Sequence, residues 1–240
     1  MATDEPDTPA LMIAALEAML ALGESLEPGD WSKPTDCPGW SVQDQFSHQC
    51  GLETSILGRD APYSGTGTQP AVDYRRSWVT EQVLAEFRDL VAARTDALRG
   101  VDPAGADEFL KIRVFDCWIH EQDVRCAVDR PGNLTGPVAD FVVARCVMSL
   151  PMIVGKRVAP PDGTAVVFQL DGEEIAIGME GTRANRLAWP PANPAATVAF
   201  DRHAFTRLAG GRQAPADLDI SVSGDRALAD KILAGMTLTP

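Results

Sequence analysis

Cysteine, histidine and positive charge are all scarce in this chain of 240 residues. The five cysteines are odd in number and include no CxxC pair, so they predict neither a disulfide framework nor a thiolate zinc site. Lysine and arginine together number 21 against 34 acidic residues, which gives a net charge of −13. Because nucleic acids and anionic membrane surfaces attract clustered lysine and arginine, this balance argues against both as partners.

Long apolar runs are also missing from the sequence. No segment approaches the ~20 apolar residues of a membrane-spanning helix. Residues 1–9 lack the basic start and apolar core of an export signal. We therefore expect a cytoplasmic protein with reduced thiols and no membrane contact. With 45% apolar content, the chain is long enough to bury a sizeable core, in one large domain or two small ones.

Hydrophobic periodicity predicts helices over the first two thirds of the chain. Apolar residues recur at helical spacing over residues 8–26, 41–59, 78–98, 107–128 and 137–150. Ser41 followed by Asp44 is typical of a helix N-terminus. Residues 60–73 are rich in glycine, proline and threonine and predict a loop, either a functional lid or plain surface. These helices indicate an up-down four-helix bundle over residues 1–155.

Beyond residue 160 the pattern changes to that of strands. Residues 164–170 and 175–179 flank Asp171-Gly172, which is a strong hairpin signal, and residues 195–200 and 219–222 predict two further strands. Asp201 and Asp225 are each placed to cap a short helix. The sequence therefore predicts a two-domain α+β fold, with a helical bundle at 1–155 and a small α+β domain at 156–240.

The helix predicted over 107–128 carries a polar stripe between apolar faces. Asp116 and His120 are four residues apart and Asp123 follows three later, so all three share one face. A carboxylate and an imidazole in apolar surroundings should be paired, hydrogen-bonded or bound to a metal, because burying them without a partner is costly. If the helix over 41–59 faces this one, His48 completes a set of two imidazoles and one carboxylate. Such a set leaves open positions on a divalent metal.

Spacing alone leaves other ligand sets open. Asp44 also precedes His48 by four residues and is a rival ligand, although a carboxylate at a helix start is the commoner role. Asp123 can replace Asp116, or it can orient His120 without touching the metal.

Three further polar residues receive ordinary interpretations. Arg113 lies on the same stripe, where an ion pair is the simpler role and holding an anionic substrate is the alternative. Cys37 falls in a turn, and no nearby histidine or base marks it as a nucleophile. His203, in the second domain, has no partner that the sequence identifies.

Three stretches of the chain resemble a known family. WSKPTDCPGWSVQDQFSH, residues 31–48, is similar to the opening of the mycothiol-dependent maleylpyruvate isomerase family, a branch of the DinB-like metal-binding four-helix bundles. DCWIHEQD, residues 116–123, resembles the second signature of that family. LAGGR at 208–212, VSGD at 222–225 and the closing TLTP resemble its small C-terminal domain, which is akin to sterol carrier folds. The resemblance spans nearly the whole chain.

The resemblance implies a metal-dependent enzyme acting on a small molecule. It makes His48, Asp116 and His120 the ligands of a divalent ion, zinc by implication, with mycothiol or a similar low-molecular-weight thiol as cosubstrate. The ion favours the thiolate, because its charge penalises the proton. In a transferase the thiolate stays on the substrate; in an isomerase acting on a maleylpyruvate-like substrate it leaves after a double bond has rotated. The isomerase is similar but has Glu where this chain has Asp116, so the substrate remains open.

The resemblance also implies an arginine from the C-terminal domain, with forked donors that suit a substrate carboxylate. Arg212 is the candidate, and Arg207 and Arg226 are its rivals. Two other functions stay open from the residues alone. One is a metal-dependent hydrolase that activates water, and the other is a non-enzymatic protein whose C-terminal domain binds an apolar ligand. The oligomeric state is not predicted.

Overall fold

The computed structural model describes residues 7–238 of the chain. The chain divides into two compact units, Met1–Val142 and Val143–Pro240. The first is helical and the second contains a five-stranded sheet, which confirms the predicted two-domain α+β fold. The division falls earlier in the chain than the predicted domain boundary at residues 155 and 156, and that boundary stays a prediction.

The helical unit begins and ends its helices close to the predicted positions. Its helices are α1 (Thr8–Glu24), α2 (Val42–Ile56), α3 (Gln69–Arg75), α4 (Thr80–Leu98) and α5 (Glu108–Ala127), and α6 (Pro137–Met148) crosses the division between the units. Asp7, Ser41 and Asp107 each accept a hydrogen bond from a backbone N–H of the following first turn. Ser41 and Asp44 form a reciprocal capping box, as the sequence predicted.

The four long helices α1, α2, α4 and α5 pack together as the predicted bundle. Both α1 and α2 contact α4 and α5. The ring of Phe46 contacts those of Trp31 and Phe87, with centroid distances of 4.9 and 5.5 Å. Full burial of such a side chain contributes about 1.5–3 kcal/mol to stability. The contact also fixes the start of the turn-rich segment 31–40 against α2, next to the candidate site.

The predicted loop over residues 60–73 is wrong in part, because α3 begins at Gln69. With 7 residues, α3 is too short to show a helical period in the sequence. Contacts with residues distant along the chain stabilise it. Arg75 is fully buried and donates two hydrogen bonds of 2.6 Å to the carboxylate of Glu86. On the other side, Gly51 of α2 lets Ala71 approach closely, since a Cβ at position 51 would lie 2.3 Å from the Ala71 Cβ.

The second unit is built on a sheet with strand order β3-β2-β1-β4-β5. The strands are β1 (Ala165–Leu170), β2 (Glu173–Glu180), β3 (Arg183–Arg186), β4 (Ala196–Phe200) and β5 (Ile220–Gly224). Asp171 and Gly172 both have positive φ, 51° and 86°, as a tight two-residue hairpin turn requires, so the predicted hairpin is confirmed. The sequence missed β3, which is short and polar. Asp201 and Asp225 cap α8 (Arg202–Ala209) and α9 (Arg226–Ala234), as expected.

One expectation about apolar runs is wrong. Pro137–Val158, a stretch of 22 residues, is long and apolar enough by length and composition to cross a membrane. The same properties are found in core helices of soluble proteins, and 44% of its apolar window is buried in the protein. Regular α-helix is interrupted within this stretch, where α6 is followed by the short α7 (Leu150–Met152) and a π-helical turn over Ile153–Val158.

Candidate metal centre

Helices α2 and α5 bring the three predicted ligands together. His48 projects from α2, and Asp116 and His120 lie one turn apart on α5. The Nε2 atom of His48 is 3.6 Å from Oδ2 of Asp116, and Nε2 of His120 is 3.5 Å from Oδ1 of the same carboxylate. One candidate ligand atom from each of the three residues lies within 4.8 Å of the other two. Their role as metal ligands stays a prediction, but the spatial condition for it is met.

Burial and hydrogen bonding set His48 apart as a side chain suited to a ligand. The residue is 4% exposed, and both of its ring nitrogens are buried without a hydrogen-bond partner in the part of the chain that the structure describes. Leaving such atoms unsatisfied costs about 1–3 kcal/mol each. Two imidazoles and one carboxylate form the donor set that zinc accepts in open, catalytic sites. The residues present therefore fit a divalent ion.

Asp116 is fixed from behind by a buried polar network. Its Oδ2 accepts a hydrogen bond of 2.9 Å from Gln49 and a second one from Arg113. Arg113 also donates to Gln49 and Glu53 of α2, at 2.7 and 2.8 Å. Arg113 thus forms ion pairs within the bundle, which is the ordinary role expected for it. These bonds tie α2 to α5 and leave Oδ1 of Asp116 facing His120.

The electrostatics of the three side chains differ. Burial favours the neutral form of Asp116, but the Arg113 guanidinium, the charge of His120 and hydrogen bonds to His120 and His48 together outweigh it and hold the pKa of this carboxyl well below its usual range. Burial lowers the pKa of His48, because desolvation disfavours the imidazolium. Burial acts the same way on His120, but the Asp116 carboxylate and hydrogen bonds to Asp116, Asp123 and Cys37 raise its pKa well above the usual value.

The segment before α2 forms a third side of the site. The ring of Trp40 lies 5.1 Å from that of His48 and 6.0 Å from that of His120, centroid to centroid. Its indole Nε1 donates to Gln69 of α3 at 3.1 Å. Trp40 therefore covers both imidazoles from one direction, while the Asp116 side chain remains 28% exposed. This exposed part of Asp116 is accessible to a small molecule next to the three candidate ligands.

Cys37 corrects an expectation from sequence. The sequence showed no histidine or base near it, yet its Sγ donates to Oδ2 of Asp123 at 3.2 Å, and His120 contacts the same oxygen. The signal was hidden because Cys37 and Asp123 are far apart in the chain. Asp44, the rival ligand, instead caps α2 and pairs with Arg76 at 3.3 Å, so the commoner role holds for it.

Two family models match the chain and together cover most of it. The mycothiol maleylpyruvate isomerase N-terminal domain matches residues 13–125, and the MDMPI C-terminal domain matches residues 134–231. The chain belongs to the mycothiol maleylpyruvate isomerase family. This confirms the family that the signatures around His48 and His120 suggested.

Solved structures related to this family share the fold. The crystal structures of the mycothiol-dependent maleylpyruvate isomerase, and of a variant with one histidine replaced by alanine, align with TM-scores of 0.55 and 0.54. Each alignment has 14% sequence identity and covers 90% of this chain and 91% of that chain. At this identity the likeness establishes the fold alone. No curated protein matches the chain significantly in sequence.

The arginine that the isomerase family implies in the C-terminal domain stays a prediction. Arg212 donates from Nη1 to the carbonyl oxygen of Gly210 at 2.7 Å, which orients its guanidinium at the end of α8. Of its rivals, Arg207 is fully buried, and Arg226 is exposed and pairs with Asp230 at 2.7 Å. Arg212 is half-buried and so combines an oriented guanidinium with access to solvent.

Proposed function

We propose that the protein is a zinc-dependent enzyme that uses mycothiol, or a similar low-molecular-weight thiol, on a small electrophilic substrate. The observation that carries this proposal is the convergence of His48, Asp116 and His120, with both ring nitrogens of the buried His48 lacking a hydrogen-bond partner among residues 7–238. Membership of the mycothiol maleylpyruvate isomerase family supports the thiol and the reaction class.

His48, Asp116 and His120 would hold the ion. When bound there, a divalent cation favours the thiolate form of a thiol, which makes the sulfur a nucleophile near neutral pH. The protein contributes the positioning: Arg113 and Gln49 hold the Asp116 carboxylate in one orientation, and Trp40 keeps water from one side of the two imidazoles. Water exclusion strengthens each electrostatic contact inside the site.

The substrate class follows from thiol chemistry. The sulfur forms a bond to an electron-poor carbon of a carbon–carbon double bond conjugated with a carbonyl group. The π electron pair of the double bond moves toward the carbonyl. If the carbon–sulfur bond breaks after rotation, the product is the trans isomer; if it persists and a proton is added, the product is a thioether. We assign the substrate carboxylate to Arg212, because a guanidinium binds a carboxylate with two parallel hydrogen bonds.

The length of the acidic ligand separates this chain from the isomerase it resembles. Asp116 is one methylene shorter than Glu and is held at Oδ2 by Arg113 and Gln49. We therefore favour thiol transfer or isomerisation as a class over maleylpyruvate in particular. The two outcomes share their first step, and product analysis distinguishes them.

The test supplies zinc-loaded protein with mycothiol and maleylpyruvate, and separately with mycothiol and a simple electrophile such as a conjugated enone. We expect thiol-dependent turnover of at least one of them, lost in His48→Ala and retained in His203→Ala. His203 is the matched control because it lies on α8 in the other unit. Turnover that does not require thiol would contradict the proposal and favour a hydrolase.

The candidate arginine is tested in the same assay. We expect Arg212→Ala to raise KM for a carboxylate substrate and to leave the reaction with an uncharged electrophile unchanged. Equal effects on both substrates would remove Arg212 from the substrate site. In that case Arg226→Ala becomes the next comparison, because Arg226 is exposed.

A further inference from the structure

The Asp123 carboxylate lies on the far side of the His120 ring from the candidate metal position. Asp123 is fully buried, and its Oδ2 is 3.1 Å from Nδ1 of His120. The other ring nitrogen, Nε2, is the one that faces Asp116. The two nitrogens of this imidazole thus have different carboxylate neighbours, one on each side of the ring.

In the neutral form of the His120 ring, the nearer carboxylate determines which nitrogen carries the proton: Asp123 lies 3.1 Å from Nδ1, and Asp116 lies 3.5 Å from Nε2. A neutral imidazole has one N–H donor and one lone pair, and only the nitrogen with the lone pair can bind a metal. An ionised carboxylate accepts hydrogen bonds and donates none, so Asp123 favours the proton on Nδ1. The lone pair then lies on Nε2, directed toward the side where Asp116 and His48 converge.

Cys37 adds a second donor to the same carboxylate oxygen. Its Sγ–H···Oδ2 contact of 3.2 Å connects segment 31–40 to α5. The same segment carries Trp40, whose ring lies over both imidazoles. The contact therefore fixes the position of the Asp123 carboxylate relative to segment 31–40.

We propose that Asp123 is a positioning residue for His120, and that it acts by fixing Nδ1 as the donor and Nε2 as the ligating atom, with Cys37 holding the Asp123 carboxylate in place. This inference rests on the proposed metal site and names two residues that act on it without binding the ion. Such outer partners of a metal-binding histidine typically change metal affinity by about 10–100-fold.

A competing interpretation of the same atoms is a separate metal site. Ligating atoms of Cys37, His120 and Asp123 also lie within 4.8 Å of one another. Hydrogen-bond lengths of 3.1 and 3.2 Å already account for these contacts. A separate site would make the Cys37 sulfur a metal ligand. Replacing Cys37 would then reduce the number of bound ions, rather than lower the affinity for one ion.

The first experiment measures zinc affinity by competition with a chromogenic chelator. We expect Asp123→Ala and Asp123→Asn to bind zinc about 10–100-fold more weakly, and Cys37→Ser, which keeps a donor, to stay close to wild type. Glu121→Gln is the matched control, because Glu121 is another fully buried carboxylate of α5 whose partners are Arg125 and Asn133. The proposal would be overturned if folded Asp123→Asn bound zinc as tightly as wild type. It would also be overturned if Cys37→Ser bound fewer zinc ions per chain than wild type.

The second experiment reads the ring directly and needs no metal. With only three histidines in the chain, 15N-histidine labelling gives three ring systems, which His48→Ala and His203→Ala assign. At alkaline pH, where the ring is neutral, we expect the Nδ1–H tautomer for His120 in wild type and a shift toward Nε2–H in Asp123→Asn. An Nε2–H tautomer in wild type would overturn the proposal. Wild-type protein that shows the expected tautomer but binds no zinc would contradict only the proposed function.

Discussion

The imidazole rings of His48 on α2 and His120 on α5 lie with their centroids 4.6 Å apart and their planes inclined at 66°. The two residues are distant in sequence, so the meeting depends on how α2 packs against α5. That packing is polar at the site: Gln49 and Glu53 on α2 contact Arg113 on α5. The geometry of the candidate metal centre therefore depends on a buried network of polar side chains that joins the two helices.

Removing Arg113 should destabilise the protein strongly. Arg113→Ala leaves the fully buried Glu53 and the partly buried Asp116 without this cation, and breaking a buried ion pair costs roughly 3–5 kcal/mol. Because Arg94 still reaches Glu53 at 3.2 Å, we expect the lower end of that range. Urea denaturation of metal-free protein measures the change. Arg99→Ala is the control, since the Arg99–Asp96 pair is exposed; equal effects would contradict a role for the network.

Zinc affinity should rise with pH. In metal-free protein the Asp116 carboxylate raises the pKa of His120, despite its burial, so a proton competes with the ion up to higher pH than for a free imidazole. The affinity is expected to increase as pH rises through this raised pKa and then to level off. The same proton stabilises the metal-free fold below about pH 6.5, and this contribution is lost as pH rises through the raised pKa.

Asp116→Asn provides the comparison for this pH dependence. It removes the carboxylate that raises the pKa of His120, so the increase in zinc affinity should move to lower pH. The affinity itself should drop by more than about 100-fold, because even outer partners of metal ligands are worth roughly 10–100-fold. Chelator competition across the neutral and mildly alkaline range measures both. Identical pH profiles for the two proteins would contradict the electrostatic account.

A methyl group at position 51 should destabilise the contact between α2 and α3. In Gly51→Ala the new Cβ would lie 2.3 Å from the Cβ of Ala71, and overpacking of this kind costs about 1–3 kcal/mol. We expect a lower Tm. Gly29→Ala is the matched control, because a Cβ at position 29 meets nothing within 4 Å. A Tm that falls equally in both variants would mean that the close approach of Ala71 is not the cause.

Thiol reactivity should divide the five cysteines into two groups. Cys50, Cys117 and Cys146 are buried, and burial raises the pKa of each thiol, to about 12 for Cys146. We expect these three to react slowly with an alkylating reagent in the folded protein, and Cys37 and Cys126, which are half-buried, to react first. Mass spectrometry of digested protein locates the label. Early labelling of Cys117 would contradict the burial of this residue in the core of the bundle.

The sequence predicted the parts of the fold that depend on local pattern. A few consecutive residues are enough to identify a helical period, the Ser41 cap and the Asp171-Gly172 turn. The structure has each of these features. The helix α3 and strand β3 were missed because both are short. They are stabilised by partners far along the chain, such as Glu86 for Arg75 in α3.

The candidate site shows the same limit. The spacing of Asp116 and His120 placed both on one helix face, but only packing could show that His48 joins them. Cys37 was dismissed as having no nearby histidine, because its contact with Asp123 joins two distant segments. Family resemblance supplied the candidate ligand set, and it did not supply the polar network around Arg113.

Metal content is the decisive measurement of whether His48, Asp116 and His120 together hold one divalent ion. Protein purified without chelator and then exposed to limiting zinc should retain a single ion per chain after extensive dialysis. His48→Ala and His120→Ala should each lose it, while His203→Ala keeps it. Wild-type protein that is folded and retains no ion, or His48→Ala protein that retains as much as wild type, would contradict the account.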